Sequence, residues 1–276
     1  MSDRYVVIGH PVAHSQSPRI HSMFAAQTGQ DITYDKLLAP IDGFADSLRT
    51  FISEGGHGAN VTVPFKLEAY EAADEVSERA GHARAANTLK FDAGRIYADN
   101  TDGVGLVRDI RANLGVAPEG KRVLLMGAGG AARGVLLPLL EARPAILVIA
   151  NRTVEKAMQL ASGNQHQPLA AHTELSGAGF ASLAGQQFDI VINATSSSLS
   201  DELPPLPDKL FAPGALAYDM MYGKGLTSFL SYAQAQNAAL LADGLGMLVE
   251  QAAESFWIWR GVRPDTRPVI LALRKG

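Results

Sequence analysis

Along the chain, short unbroken apolar runs alternate with stretches whose apolar residues recur every three to four positions. Residues 5–9 form a Val- and Ile-rich run that predicts a buried strand. Beyond it Ile20, Met23, Phe24 and Gln27 keep helical spacing, and Ser17 before Pro18 marks the helix start, with Ser as the cap and Pro at the first helical position. Residues 32–38 predict a second strand, and 41–53 a helix with Phe44, Leu48, Phe51 and Ile52 on one face. Residues 58–63 predict a third strand, after which Pro64 opens another helix. Asp92-Ala93-Gly94 separates 85–90 from 95–99 as a hairpin turn would. This order predicts a mostly parallel α/β layer closed by an antiparallel pair.

The pattern then repeats. A helix with Val104, Val107, Ile110 and Leu114 on its apolar side starts at Asn100-Thr101-Asp102-Gly103. Strands are predicted in the apolar run that leads to Gly127 and at 145–150, 188–194, 216–220 and 239–242, with helices between, among them 154–162. Five strands with crossover helices predict a Rossmann-like layer. Residues 203–213 are Pro-rich and read as an ordered loop, and Asp243 caps a last helix that carries Phe256, Trp257 and Trp259, read as core, to Gly261. The expected fold class is α/β with two domains. One is an open substrate domain of 1–102 plus 245–276, discontinuous because the last helix packs back on it; the other is a Rossmann-like domain of 103–244.

At 276 residues the chain can bury the cores of two domains. A net charge of −4 without a basic block argues against nucleic acid or an anionic membrane surface as partner. The absence of Cys removes disulfides, thiolate nucleophiles and Cys-based metal sites. No apolar run reaches membrane-spanning length and the amino terminus lacks a signal-peptide profile, so a cytoplasmic protein is expected.

The most informative stretch is Met126-Gly127-Ala128-Gly129-Gly130-Ala131-Ala132 after a predicted strand. Gly127, Gly129 and Ala132 fit G-x-G-x-x-G/A, where a tight turn brings a pyrophosphate against the free N–H groups of a helix start. An ordinary strand-to-helix turn would look the same, so context decides. The next strand ends in Asn151-Arg152-Thr153 rather than in an acidic residue. Arg152 offers a planar fork for a 2′-phosphate, with Asn151 and Thr153 as further donors, and this favours NADP over NAD.

Hydride transfer to a ketone needs a proton donor at the developing oxyanion. Lys66 is the candidate, because a cation in the first turn of a helix opposes the macrodipole and is unusual there. Asp102 is the carboxylate best placed to hold it, although an Asp there also reads as a helix cap. His10 and His14 are spaced as a metal pair, but Pro11 intervenes and no metal motif accompanies them, so no metal is expected. Ser15 lies outside G-x-S-x-G and reads as a hydroxyl that binds a substrate oxygen.

Taken in order, Pro11-Val12-Ala13-His14-Ser15-Gln16-Ser17-Pro18, Asn60-Val61-Thr62-Val63-Pro64-Phe65-Lys66, Ala86-Asn87-Thr88, Asp99-Asn100-Thr101-Asp102-Gly103-Val104-Gly105, the Gly-rich turn, Asn151-Arg152-Thr153, Asn193-Ala194-Thr195-Ser196 and Asp243-Gly244-Leu245-Gly246-Met247 resemble the shikimate dehydrogenase family nearly end to end. The resemblance implies NADP(H)-linked interconversion of 3-dehydroshikimate and shikimate, on the route to chorismate and the aromatic amino acids, with Lys66 and Asp102 as the catalytic pair. It implies that Ser15 and Ser17 hold the substrate carboxylate with Tyr222 nearby, and that Asn60, Thr62, Asn87 and Gln251 make further substrate contacts. Gly127, Ala128, Gly129, Gly130, Ala131, Asn151, Arg152, Thr153, Thr195, Met220 and Gly244 would line the cofactor. A broader quinate/shikimate dehydrogenase and a non-catalytic NADP-binding regulatory module share this architecture. Nothing in the chain decides between a monomer and a homodimer.

Overall fold

The computed structural model describes residues 2–165, 168–195, 203–223 and 225–275. The chain divides into two compact units: residues up to Gly105 together with those from Leu248 onward, and Leu106–Met247. The divisions fall within helices, a few residues beyond 102/103 and 244/245.

The first unit holds strands β1 (Asp3–Gly9), β2 (Ile32–Leu38), β3 (Gly56–Val61), β4 (Glu75–Val76), β5 (Thr88–Asp92) and β6 (Arg95–Asp99) in a sheet ordered β2-β1-β3-β5-β6-β4. The first three run parallel, β3–β5 and β5–β6 are antiparallel, and β4 pairs parallel with β6. Helices α1 (Ser17–Thr28), α2 (Phe44–Ser53), α3 (Lys66–Glu71) and α4 (Glu78–Ala83) belong here. Strand β4 and helix α4 lack apolar periodicity and were not expected.

Both faces of this sheet are covered, which is why its strands read as unbroken apolar runs. Val6, Ile8, Ala59, Val61 and Leu89 pack with Phe44, Leu48 and Phe51 of α2. Tyr5, Val7 and Tyr34 on the opposite face pack with Trp259. Ile20 and Phe24 of α1 meet Val249, Ala253 and Phe256, and the latter three lie on α9 (Leu245–Arg260).

Several expectations shift. Ser17 is the first residue of α1 rather than its cap, a position Gln16 takes without a side-chain bond. Helix α2 begins at Phe44 rather than Ile41, because Gly43 closes a turn on Pro40. Trp257 is 47% exposed and is not core.

Within this unit His21 is fully buried, stacked on Tyr34 at 4.2 Å, and neither ring nitrogen has a hydrogen-bond partner. Burial lowers its pKa to about 3. Between pH 6.5 and 3 the unfolded chain therefore takes up a proton that the native state refuses, so stability falls as pH drops through that window. From pH 7 to 5 His21 should cost about 2 kcal/mol, and His21→Phe should remove that loss. Urea titrations at both pH values measure it by Trp fluorescence, since Trp257 and Trp259 both lie in this unit. Equal pH sensitivity in the variant would refute it.

The second unit is a sheet of six parallel strands, one more than expected: β7 (Arg122–Met126), β8 (Ile146–Ala150), β9 (Glu174–Ala178), β10 (Phe188–Asn193), β11 (Phe211–Asp219) and β12 (Leu240–Ala242). The order β12-β11-β10-β7-β8-β9 is the doubly wound arrangement, with its reversal between β7 and β10. Alternate side chains feed two cores. Val123, Leu125, Ile149 and Ile192 pack with α6 (Gly130–Glu141) and α7 (Val154–Ser162), while Leu124, Val148, Val191 and Ala217 pack with Phe229 and Leu230 of α8 (Ser228–Ala235). The unexpected strand, β9, lies at the edge. Pro213, placed in a loop by its composition, falls inside β11. A final helix, α10 (Arg267–Arg274), follows α9 and was not expected.

Candidate active site

Register explains why residues far apart in sequence meet in the first unit. Strands β1 and β3 pair in parallel with Ile8 opposite Val61, so the segments holding Ser15 and Thr62–Lys66 leave the sheet at one edge. Strand β5 starts at that same edge, because Asn60 pairs with Thr88 and Thr88 with Asp99. Lys66, Asn87 and Asp102 are thereby gathered.

The Lys66 Nζ donates to Asp102 Oδ2 at 2.5 Å, with side-chain exposures of 30% and 14%. Both groups are sheltered yet reachable from solvent. Asp102 is the first residue of α5 (Asp102–Arg108), but its carboxylate is taken up by Lys66 and by Asn87 Nδ2 at 2.8 Å, so it is not serving as the helix cap. The approach to Asp102 is anchored by Arg79, whose guanidinium reaches both oxygens of Asp99 at 2.6 and 3.1 Å and Glu254 of α9 at 3.2 Å. Asp99 is 2% exposed, so this fork holds a buried charge by hydrogen bonds from two nitrogens.

Asn87 and Asn60 are 3% and 6% exposed and engaged at both ends of their amides. Asn87 Oδ1 accepts from the Thr101 backbone at 2.8 Å, while its Nδ2 reaches Gln251 Oε1 at 3.1 Å as well as Asp102. Gln251 Nε2 donates to the Leu248 carbonyl at 2.8 Å. Asn60 Oδ1 accepts from Tyr34 and its Nδ2 donates to Ser255 Oγ at 3.0 Å. Burial pushes the Tyr34 phenol well up, the Ser17 hydroxyl opposing. Ser15 Oγ accepts the Ser17 N–H at 3.3 Å and sits 3.2 Å from Ser17 Oγ, which puts two hydroxyls side by side. Thr62 is half-buried, and its carbonyl accepts from Phe65 N just ahead of Lys66. Thr88, Thr101 and Ser255 were not singled out from the sequence. The spacing of Gln251 and Ser255, one helical turn apart on α9, was the available clue.

His10 Nδ1 donates to the Ala39 carbonyl at 2.8 Å, and among the described residues no group of three or more His, Asp or Glu is placed to hold a metal ion. No helix among them is long and apolar enough to cross a membrane.

In the second unit, the carboxyl ends of β7 and β10 flank the reversal of strand order, where Met126 pairs with both Asn193 and Ala150. Gly127 has φ +109, and a Cβ there would lie 3.1 Å from the Ala194 carbonyl, so the turn after β7 requires glycine. Gly129 precedes α6 and Gly130 begins it. A Cβ on either meets nothing within 4 Å, so the space before the free first-turn N–H groups is open. Ala132 is fully buried against the sheet and Ala128 nearly so, while Ala131 is exposed.

At the end of β8, Asn151 Nδ2 donates to the Thr153 carbonyl at 2.9 Å. Arg152 is exposed, and no described residue pairs with it. Thr195 Oγ1 donates to Asn193 Oδ1 at 2.7 Å. Gly244 packs so closely that a Cβ would fall 2.1 Å from the Met220 carbonyl, and Tyr222 is 38% exposed after β11. Ser196, last residue of the Asn193-Ala194-Thr195-Ser196 motif, lies outside the described residues. A turn that demands glycine, open space before a helix N-terminus and an exposed guanidinium at the next strand end together fit a phosphorylated dinucleotide.

Comparison with known proteins settles the family. The profile described as "Shikimate dehydrogenase substrate binding domain" matches residues 7–89, "Shikimate / quinate 5-dehydrogenase" matches 111–200 and "Shikimate 5'-dehydrogenase C-terminal domain" matches 244–274. A protein of Nitrosospira multiformis named shikimate dehydrogenase (NADP(+)) is 61% identical over 99% of this chain and 98% of its own. The chain belongs to the shikimate dehydrogenase family. A solved structure of an Ael1 enzyme from Pseudomonas putida is 54% identical with a TM-score of 0.92, covering 99% of this chain and 98% of its own. The shikimate 5-dehydrogenase of Thermus thermophilus, solved with NADP(H) and shikimate, is 31% identical with a TM-score of 0.86 over 99% of both chains.

Proposed function

We propose that this family member is an NADP-dependent oxidoreductase that interconverts 3-dehydroshikimate and shikimate, with Lys66 as the acid and base and Asp102 as the group that holds it. In the reductive direction the Lys66 ammonium gives a proton to the C3 oxygen as negative charge develops there; in the oxidative direction the amine takes it back. The observation that carries this reading is the sheltered Lys66–Asp102 contact at 2.5 Å, held from behind by Asn87. A solvated lysine would have no such fixed partner.

The other residues take roles that their surroundings support. The paired hydroxyls of Ser15 and Ser17 bind the substrate carboxylate without a buried cation, the family resemblance adding Tyr222 near that carboxylate, and Thr62 and the remaining N–H of Gln251 reach the substrate's other oxygens. Asn60 and Asn87 have no amide hydrogen to spare, so a substrate oxygen approaching either one replaces a present partner. When bound, NADP(H) supplies or accepts the hydride. The Gly127–Ala131 turn, with the first-turn N–H groups of α6, would hold its pyrophosphate, and Arg152, with Asn151 and Thr153, would bind the 2′-phosphate. Thr195, Met220 and Gly244 form the wall for the nicotinamide.

Initial rates of NADP⁺ and NAD⁺ reduction, each with shikimate and with quinate, test the whole reading. The shikimate and NADP⁺ pair should be the fastest of the four. No turnover with that pair would reject the proposal, and a quinate rate equal to the shikimate rate would replace it with the broader quinate/shikimate activity.

A further inference from the structure

Around Asn87 lies a hydrogen-bonded cluster from five distant segments. Tyr34 donates to Asn60 Oδ1 at 2.7 Å. Asn60 Nδ2 donates to the Asn87 carbonyl at 3.1 Å, an oxygen that can only accept, which settles the orientation of the Asn60 amide. The same nitrogen reaches Thr88 Oγ1 at 3.2 Å and Ser255 Oγ at 3.0 Å, and those two hydroxyls stand 2.7 Å apart. Each hydroxyl has one proton: with Ser255 donating across the 2.7 Å contact, Thr88 keeps its own for Asn87 Oδ1 at 3.0 Å. The Thr101 N–H also donates to that oxygen, at 2.8 Å.

With Asn87 Oδ1 held by donors only, the amide nitrogen must face Asp102. A flipped amide would set donor against donor at Thr101 and oxygen against carboxylate at Asp102. Thr88 and Ser255 are fully buried, so a hydroxyl lost there is not replaced by solvent.

We propose that the Thr88–Ser255 hydroxyl pair is a positioning device for the reaction: it fixes the Asn87 amide with its N–H against Asp102, and so keeps the carboxylate aligned with Lys66. Neither residue touches substrate or cofactor. The inference rests on the reading of Lys66 and Asp102 above.

Thr88→Val keeps the shape of the side chain and removes the hydroxyl, and Ser255→Ala does the same from α9. Each should lower kcat for shikimate oxidation about 3- to 10-fold, the effect of one net hydrogen bond felt at the transition state. The KM for NADP⁺ should be unchanged. Thr88→Ser, which restores the hydroxyl, should recover kcat to within about twofold. In an Asn87→Ala background Thr88→Val should cause no further loss, because the group it acts through is gone. Losses that multiply fully in that background, an unchanged kcat in Thr88→Val, or a loss that Thr88→Ser repeats would each overturn the positioning role. If Thr88→Val does not fold, Ser255→Ala carries the same cycle. Near-normal turnover of Lys66→Ala would overturn the underlying reading; a large loss there with additive Thr88 and Asn87 effects would overturn this inference alone.

Discussion

Lys66→Ala should lower kcat for shikimate oxidation by about 10²–10⁴-fold, the usual effect of removing a general acid or base. Without the amine nothing at that position takes the hydroxyl proton as the hydride leaves, and water would have to enter a place where Asp102 is 14% exposed. The variant also leaves the Asp102 carboxylate with Asn87 as its partner, so some loss of stability should accompany the loss of rate. The two are separable. Single-turnover rates on folded protein report the chemistry, and NADP⁺ binding should be retained because the glycine turn and Arg152 belong to the other unit. Turnover within a few-fold of the parent would remove Lys66 from the mechanism.

Arg152→Ala should weaken NADPH by about 10- to 100-fold in KM while changing NADH by less than about twofold. The loss corresponds to the roughly 1.5–3 kcal/mol of a hydrogen bond to a charged group. Arg152 is exposed, so its removal opens no cavity, and it breaks no pair with a described residue. Whatever changes is what it does for a ligand. Lysine at this position should recover only part of the affinity, since it lacks the planar fork. Equal losses for NADPH and NADH would contradict a 2′-phosphate role and leave Arg152 as a general cofactor contact.

The two sheets were legible from the sequence to different depths. Strands buried on both faces, such as β1, β7 and β10, announce themselves as apolar runs, and the glycine turn after β7 carries its own conformational demand at Gly127. The edge strands β4 and β9 do not. In β9, α7 comes so close to Gly177 that a Cβ there would fall 2.5 Å from the Ala157 backbone, so packing on that face excludes the large side chains that mark a strand. Strand β4 is two residues long and carries no period at all. The helix start at Ser17 was displaced because the Ser15 hydroxyl, two residues earlier, takes the Ser17 N–H.

Lys66 and Asp102 could be proposed singly from the chain, since a lysine in a first helical turn and an aspartate at a helix start are local features. Their contact could not. It depends on β3 pairing with β5 and β5 with β6, which brings residues 36 positions apart within 2.5 Å. The buried hydroxyl pair was less legible still, because Thr88 and Ser255 are separated by 167 positions and each reads alone as an ordinary polar residue.

By itself the sequence determined the α/β class, the strand-and-helix alternation in both halves, the glycine turn after β7 and the family, because each rests on a local period or a short motif whose physics acts within one turn or one strand. Only the tertiary structure decided that Asp102 faces Lys66 rather than its own helix, that Asn60 and Asn87 are fully engaged from within, and that Thr88 and Ser255 stand behind them. Those are facts of register and burial, and a hydrogen bond between distant segments leaves no periodicity in the chain to be read.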